Sequence, residues 1–427
     1  MIRIVKADGA AEKELILSLR LRAAQTAVEI NRAAAEILED VRLRGFDAVR
    51  EHSLRLDGAE PFEIPPERLE EALKACSPEL VRAMRRSIEN VKEYNSRLAV
   101  SSAVWQNRDG GTVGRIVRGL TRVGIYVPGG RAAYPSSVIM NAIPARAAGV
   151  EEIVMATPPT KNLNTAVLAA AKLCGIDRVI AVGGVQAVAA LSFGAGFIPR
   201  VDKLVGPGNA YVAAAKRMVF GTVDIDMVAG PSEVLVLADS SANPAWVAAD
   251  LLSQAEHDPM AASLLVTDSA ELAEAVSKEL SRQTSYLEKA EIIRQSLRDF
   301  GAAIVCPSLE AGMSLANEIA PEHLEILTEE PRRLLPLVKN AGAVFLGSWS
   351  PEPLGDYLAG PSHVLPTSGT ARFFSPLSAD SFRKSISVVE YGKDALFSSA
   401  EDIMTFADSE GLTAHANSIR IRSEGEK

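Results

Sequence analysis

Hydrophobic and polar positions follow two different periods along this chain. From residue 1 to about 105, apolar residues recur at helical spacing among many charges, as in LILSLRLRAAQTAVEINRAAAEILEDV and PPERLEEALKAC. Pro65 and Pro66 ahead of Glu67 mark one helix start. From about 110 to 375, short apolar runs alternate with helical segments. Strands are predicted over Thr121–Val127, Glu152–Thr157, Asp177–Val182, Glu233–Ala238, Ser263–Thr267, Ala302–Cys306 and Ala343–Leu346, and helices over Asn164–Leu173, Ala242–Ala255 and Leu309–Ile319. Short apolar strands joined by helices imply parallel sheets with helices on their faces. There are enough strands for two such sheets, divided near Ser232. From about 376 the chain turns more polar, with a strand predicted over Ile386–Tyr391 and two helices before the charged tail SEGEK. The expected organisation is a helical N-terminal segment (1–110), two α/β domains (111–232 and 233–375) and a small C-terminal tail (376–427).

One run imitates a membrane span. Val179 to Ile198 carries only Gln186 and Ser192 as polar side chains. Gly183 and Gly184 interrupt it early and Gly194 and Gly196 late, so it reads as a buried strand, a glycine turn and a short buried helix. The rest of the composition narrows the class. A chain of 427 residues, 47% hydrophobic and 23% charged, can bury a large core and exceeds what one core fills. The net charge of −9 comes without a basic run, which argues against nucleic acid and anionic membrane as partners. The three cysteines (Cys76, Cys174, Cys306) are far apart and odd in number, as in a reducing compartment. Cys174 and Cys306 lie in apolar runs and read as small buried hydrophobes. The first twenty residues lack a secretory pattern, so a cytoplasmic location is expected.

Candidate chemistry gathers around few histidines. Of five, His257, His323, His363 and His415 sit in polar clusters near Gln254 and Glu256, Glu322, Asp356 and Glu410, whereas His52 lies in a charged helical stretch and reads as solvent-exposed. Gln254 and His257, three apart at a helix end, share a face. Asp356 and His363 bracket a loop rich in glycine and proline, where polar side chains have little structural reason to be. Glu410 and His415 flank Gly411. Such nitrogen and oxygen donors suit zinc or a similar divalent ion, although glutamine is an unusual ligand. In APEHLEIL, Pro321 ends a helix and Leu324–Leu327 reads as a strand, so Glu322 and His323 sit at a junction where they can act as an acid/base pair. Four glycine-rich turns, GIYVPGGR, AVGGVQAV, VGPGNAYV and AGPSEVLV, bring Tyr126, Gln186, Asn209 and Ser232 to element ends. None matches the usual dinucleotide fingerprint, so glycine alone does not show a nucleotide.

The pieces SQAEHDP, VGPGNAYVAAAKR, AGPSEVLV, APEHLE, GDYLAGPSHVLPT, RFFSPLS and EGLTAH resemble those of histidinol dehydrogenase, in order and spacing, from about Arg122 to His415. The resemblance implies oxidation of L-histidinol to L-histidine with two NAD⁺ through a bound aldehyde, the last two steps of histidine biosynthesis. It implies two incomplete Rossmann-like domains, with NAD⁺ on the side of 111–232 and metal and catalytic groups on that of 233–375, plus a C-terminal dimerisation tail. It assigns one Zn²⁺ per subunit to Gln254, His257, Asp356 and His415, the last coming from the partner of a homodimer. It makes His323 the base and Glu322 the group that activates water. Ser232, His363 and Glu410 then contact substrate together with the zinc ligands and His323, and Tyr126, Gln186 and Asn209 contact NAD⁺.

A paralogue oxidising another small polar alcohol, such as a sulfonated diol, would lose the imidazole and amine contacts, yet His363 and Glu410 are present. A zinc hydrolase would turn over without NAD⁺ and leave Tyr126, Gln186 and Asn209 without a role.

Overall fold

The computed structural model describes residues 2–22, 27–98, 100–129, 134–159 and 163–424. Gly130 and Arg131 of the first glycine turn and the last three residues of the tail lie outside these. The fold is α/β, built on two six-stranded sheets and a smaller three-stranded one.

The first sheet runs in the order Phe62–Ile64, Arg178–Ala181, Glu152–Thr157, Arg122–Tyr126, Lys203–Val205, Asp224–Ile225. All its pairings are parallel except that of the edge strand Phe62–Ile64. The second sheet is parallel throughout, in the order Arg3–Lys6, Ala302–Val305, Ala262–Thr267, Glu233–Ala238, His323–Leu327, Ala343–Leu346. The chain leaves the first sheet after Ile225 and enters the second at Glu233. Successive residues of each central strand face opposite cores, as the pleat requires. Val234 and Val236 pack on one side with Leu251 and Val276, while Leu235 and Leu237 pack on the other with Met313 and Ile326. Every residue of Glu233–Ala238, Ala262–Thr267 and His323–Leu327 is buried. Full burial of one such aliphatic side chain is worth about 1.5–3 kcal/mol.

The N-terminal segment is not helical alone. Arg3–Lys6 extends the second sheet and Phe62–Ile64 the first. Ala103–Gln106 and Thr112–Gly119 join the tail strand Arg383–Glu390 in the antiparallel three-stranded sheet. The suspected membrane run resolves into the strand Arg178–Ala181 and the helix Gly184–Phe193. No described helix is long and apolar enough to cross a membrane.

The reading of His52 is corrected. Its helix, Phe46–Asp57, packs against the helix Ala27–Arg44, leaving His52 only 9% exposed. Its Nε2 lies 2.7 Å from Asp40 Oδ2, and Arg55 donates to Nδ1 at 2.8 Å. Cys174 and Cys306 are buried, with their thiols pushed up to about 12 and about 11, first of all by burial. They are not nucleophiles near neutral pH.

Candidate active site

A cavity of about 270 Å³ lies between the two large sheets. The first sheet meets it with the turns beyond its strand ends: Gly206–Gly208 follow Lys203–Val205, and Asp226 and Met227 follow Asp224–Ile225. The second sheet presents the opposite edge, where strands begin. Ser232 precedes Glu233–Ala238, and Glu322 and His323 open His323–Leu327. Parallel sheets usually hold ligands beyond their strand C-termini, so the sequence offered no reason to look at strand starts except the polar residues themselves.

Local chemistry sets the Glu322–His323 junction. The helix Leu309–Ile319 stops at Ala320, which takes a left-handed φ of 54°, and Pro321 cannot continue it. The next chain segment passes close by: Gly342 donates to the Pro321 carbonyl and Ala343 to that of Glu322, both at 2.9 Å. A Cβ at Gly342 would stand 2.5 Å from that Glu322 oxygen, so only glycine permits the approach.

The main chain of Glu233 holds both side chains. Its N–H donates to Glu322 Oε2 at 3.0 Å, and its carbonyl lies 2.9 Å from His323 Nδ1. A carbonyl only accepts, so Nδ1 carries the proton and Nε2 the lone pair. Nε2 is buried and has no hydrogen-bond partner among the described residues. Burial pushes the imidazole down to about 4, against the attraction of Asp356, so it is neutral near pH 7. Burial raises Glu322 well above the ordinary carboxylate range, helped by the charges of Glu233, Asp356 and Glu352 and opposed by the Glu233 N–H.

Seven expected residues line this one cleft: Ser232, Gln254, His257, Glu322, His323, Asp356 and His363. Gln254 lies in the last turn of the helix Pro244–Ala255, is 2% exposed, and has an Oε1 without a partner among the described residues. His257 follows that helix. Asp356 belongs to the short helix Glu352–Tyr357, and its Oδ1 is 3.8 Å from His363 Nδ1. Burial lowers the His363 imidazole, with Asp356 opposing.

The other expected residues lie elsewhere. Glu410 caps the helix Lys393–Ser409 and His415 belongs to Thr413–Glu424; both are exposed, and neither lines the cavity of its own chain. Tyr126, Gln186 and Asn209 sit at the C-terminal edge of the first sheet. The Tyr126 hydroxyl accepts from the Gly184 N–H at 3.1 Å. Gln186 is fully buried and donates through Nε2 to Asp57 Oδ2 at 2.9 Å, and its Oε1 has no partner among the described residues. Gly184 has φ 61°, and a Cβ there would stand 2.8 Å from that oxygen. Asn209 caps the helix Ala210–Val219, accepting from Tyr211 and Val212 N–H groups at 3.1 Å.

Glu352 is a cleft residue that the sequence reading missed. It is buried, its Oε1 lies 3.7 Å from His323 Nε2, and burial beside Asp356 pushes it up to about 9. His323, Glu352 and Asp356 bring ligand atoms within 4.8 Å of one another. The signal was the four-residue spacing of Glu352 and Asp356, one helical turn. Behind them, Glu325 is fully buried, accepts from the Glu352 N–H at 2.8 Å and shares a hydrogen bond with Asp250.

This arrangement combines a neutral imidazole base, a buried carboxyl beside it and a carboxylate-rich wall able to hold a cation. Comparison with known proteins places it in a family. The histidinol dehydrogenase family model matches residues 20–423. The chain is 49% identical to a histidinol dehydrogenase of Clostridium acetobutylicum over 427 residues, covering 99% of both chains. It is 54% identical to one of Caldanaerobacter subterraneus over 400 residues, covering 92% of this chain and 93% of that one. The crystal structure of histidinol dehydrogenase from Elizabethkingia anophelis is 34% identical, superposes with a TM-score of 0.93 and covers 99% of this chain and 98% of that chain.

Proposed function

The chain belongs to the histidinol dehydrogenase family of oxidoreductases, and from that premise we propose that it oxidises L-histidinol to L-histidine in two steps, with NAD⁺ and one zinc ion per subunit, in the cytoplasm. The observation that carries the reading is a pair of buried acceptors in one cleft, Nε2 of His323 and Oε1 of Gln254, without partners among the described residues. Buried polar atoms are rarely left unmatched. One suits a substrate proton and the other a metal.

The donor set fits zinc. Gln254, His257 and Asp356 supply oxygen and nitrogen at one wall, and His415 of a second copy is the fourth ligand in this reading. The crowd of carboxyls raised by burial and mutual repulsion is what a divalent cation would relieve. Zinc, when bound, would hold the imidazole and amine of the substrate by chelation, and NAD⁺ would accept hydride in each step.

The chain's own residues do the rest. His323 takes the hydroxyl proton at Nε2, its tautomer fixed by the Glu233 carbonyl. Glu322, once ionised, draws a proton from the water that adds to the aldehyde. Ser232, His363 and the partner-derived Glu410 orient the polar end, which is catalysis by positioning. Tyr126, Gln186 and Asn209 meet the dinucleotide at the C-terminal edge of the first sheet.

The test is NADH formation from L-histidinol by zinc-loaded protein, before and after chelation. About two NADH per histidine formed, lost with the metal and restored by zinc, is the expected result. A folded protein that binds zinc and NAD⁺ yet yields no NADH would refute the substrate.

A further inference from the structure

We infer that Arg22 is a positioning residue for the Glu322–His323 pair, acting through the main chain of Glu233. The inference rests on the catalytic reading of that pair.

Arg22 ends the helix Ala11–Leu21, far in sequence from the cleft, and its side chain is 1% exposed. The guanidinium makes three contacts. One nitrogen donates to the Met260 carbonyl at 3.0 Å; the other donates to the Pro231 carbonyl at 2.9 Å and to Glu233 Oε1 at 2.6 Å. The Phe300 ring lies 5.7 Å from its Cζ. The fork therefore grips both sides of Ser232 and the entry to the neighbouring strand Ala262–Thr267, whose first N–H donates to the Ser232 carbonyl at 3.0 Å. A lysine has no planar fork to span these acceptors.

A buried ion pair is a poor source of stability, because desolvation offsets most of its attraction. What Arg22 and Glu233 do provide is a fixed position for one peptide unit and its neighbour. The Glu233 main chain gives its N–H to Glu322 and its carbonyl to His323. Moving it disturbs both side chains at once: the carboxyl loses its donor, and the imidazole loses the acceptor that selects its tautomer. Misplacement by about 1 Å costs on the order of 10²-fold in rate. The N-terminal helix is thus part of the site, although it touches no reacting atom.

The experiment compares full-length zinc-loaded protein with Arg22→Met, Arg22→Lys, Glu233→Gln and the double variant Arg22→Met/Glu233→Gln. Arg22→Met should lower kcat roughly 10–100-fold while KM for NAD⁺ stays within about twofold. The double variant should be no worse than the weaker single, since both act along one path. A folded Arg22→Met with kcat unchanged, or losses that multiply in the double variant, overturns the inference. Where Arg22→Met fails to fold, Arg22→Lys keeps the charge and decides: a kcat loss beyond about threefold supports a fork-dependent role, and an unchanged kcat overturns it. Nitrogen-15 NMR of histidine-labelled protein reads the tautomer without turnover. The parent should show His323 protonated at Nδ1 alone, and the Arg22 variant a mixture; identical tautomers overturn the inference. Inactivity of the parent on histidinol would count against the catalytic reading only, because the tautomer readout still decides the role of Arg22.

Discussion

His323 Nε2 and Glu352 Oε1 lie 3.7 Å apart in the floor of the cleft. That is too far for a hydrogen bond and close enough for one hydroxyl, seated to the side of the pair, to reach both atoms. The imidazole is neutral with its lone pair on this side, and the carboxyl is kept protonated by burial. A hydroxyl seated beside the pair meets one acceptor and one donor, which orients its proton toward the imidazole.

Removing either half of the proposed catalytic pair, Glu322 and His323, should separate the two proposed oxidations. His323→Asn removes the base and should slow NADH formation from both alcohol and aldehyde by roughly 10²–10⁴-fold. Glu322→Gln keeps a hydrogen-bonding group for the Glu233 N–H but cannot take a proton. It should slow aldehyde oxidation far more than alcohol oxidation in single-turnover measurements. Equal losses in both steps would remove water activation from the role of Glu322.

The two steps should also differ in pH dependence. His323 is pushed down to about 4, so its base form survives into acid. Glu322 is pushed up, so its carboxylate appears only at higher pH. On acidification, aldehyde oxidation should therefore lose rate at a higher pH than alcohol oxidation does. Rate profiles with each substrate check this, and coincident acid limbs would contradict it.

Much of this was legible in the sequence, for identifiable reasons. Glu152–Thr157 and Ala343–Leu346 are apolar runs bounded by turn residues, and they occur as read. Arg3–Lys6, Phe62–Ile64 and Lys203–Val205 span four residues or fewer, too short for alternation to stand out. Thr112–Gly119 carries two arginines on a partly exposed strand, which breaks the apolar run that marks the other strands. Arg22 and His52 each sit in a charged helical pattern that suggests a solvated face. Their burial depends on residues 233 and 40, which only the fold brings near. Glu352 was hidden by prolines on both sides, which mask a single helical turn.

Sharing of the site between subunits can be read by mixing inactive variants. His323→Ala and His415→Ala proteins, dissociated and reassociated together, should recover roughly one quarter of parental activity if the tail serves the partner's cleft. Half the dimers are then mixed, and each mixed dimer has one intact site. A site assembled within one chain would recover nothing. Gln254→Ala should weaken zinc binding at least about tenfold in metal titrations; unchanged affinity would exclude Gln254 as a ligand.

The carboxyl pair behind the cleft should make the metal-free protein lose stability as pH rises. Burial raises Asp250 to about 6 and lifts Glu325 well above the ordinary carboxylate range, so the folded state keeps protons that the unfolded chain releases. The stabilisation is complete below the ordinary carboxyl range and is lost as pH climbs through the folded values. Thermal midpoints between roughly pH 5 and 8 should fall in the parent and fall less in Glu325→Gln, which keeps a neutral group there. A parallel fall in both proteins would clear the pair of responsibility.

Asp57 should govern cofactor affinity although it belongs to an N-terminal helix. Its carboxylate only accepts, so the amide nitrogen of Gln186 must face it and the amide oxygen must face away, beside Gly184. In Asp57→Asn the partner can donate as well as accept, and the Gln186 amide is free to turn over. The acceptor that Gln186 would offer to a dinucleotide in the proposed role is then no longer fixed. KM for NAD⁺ should rise roughly tenfold, about 1.4 kcal/mol, the scale of one hydrogen bond, with kcat for histidinol changed by less than about twofold. Gln186→Glu, which keeps an oxygen on the side away from Asp57 but places charge against it, should raise KM further. A lowered kcat with KM unchanged would place Asp57 in the chemical step and not in cofactor binding.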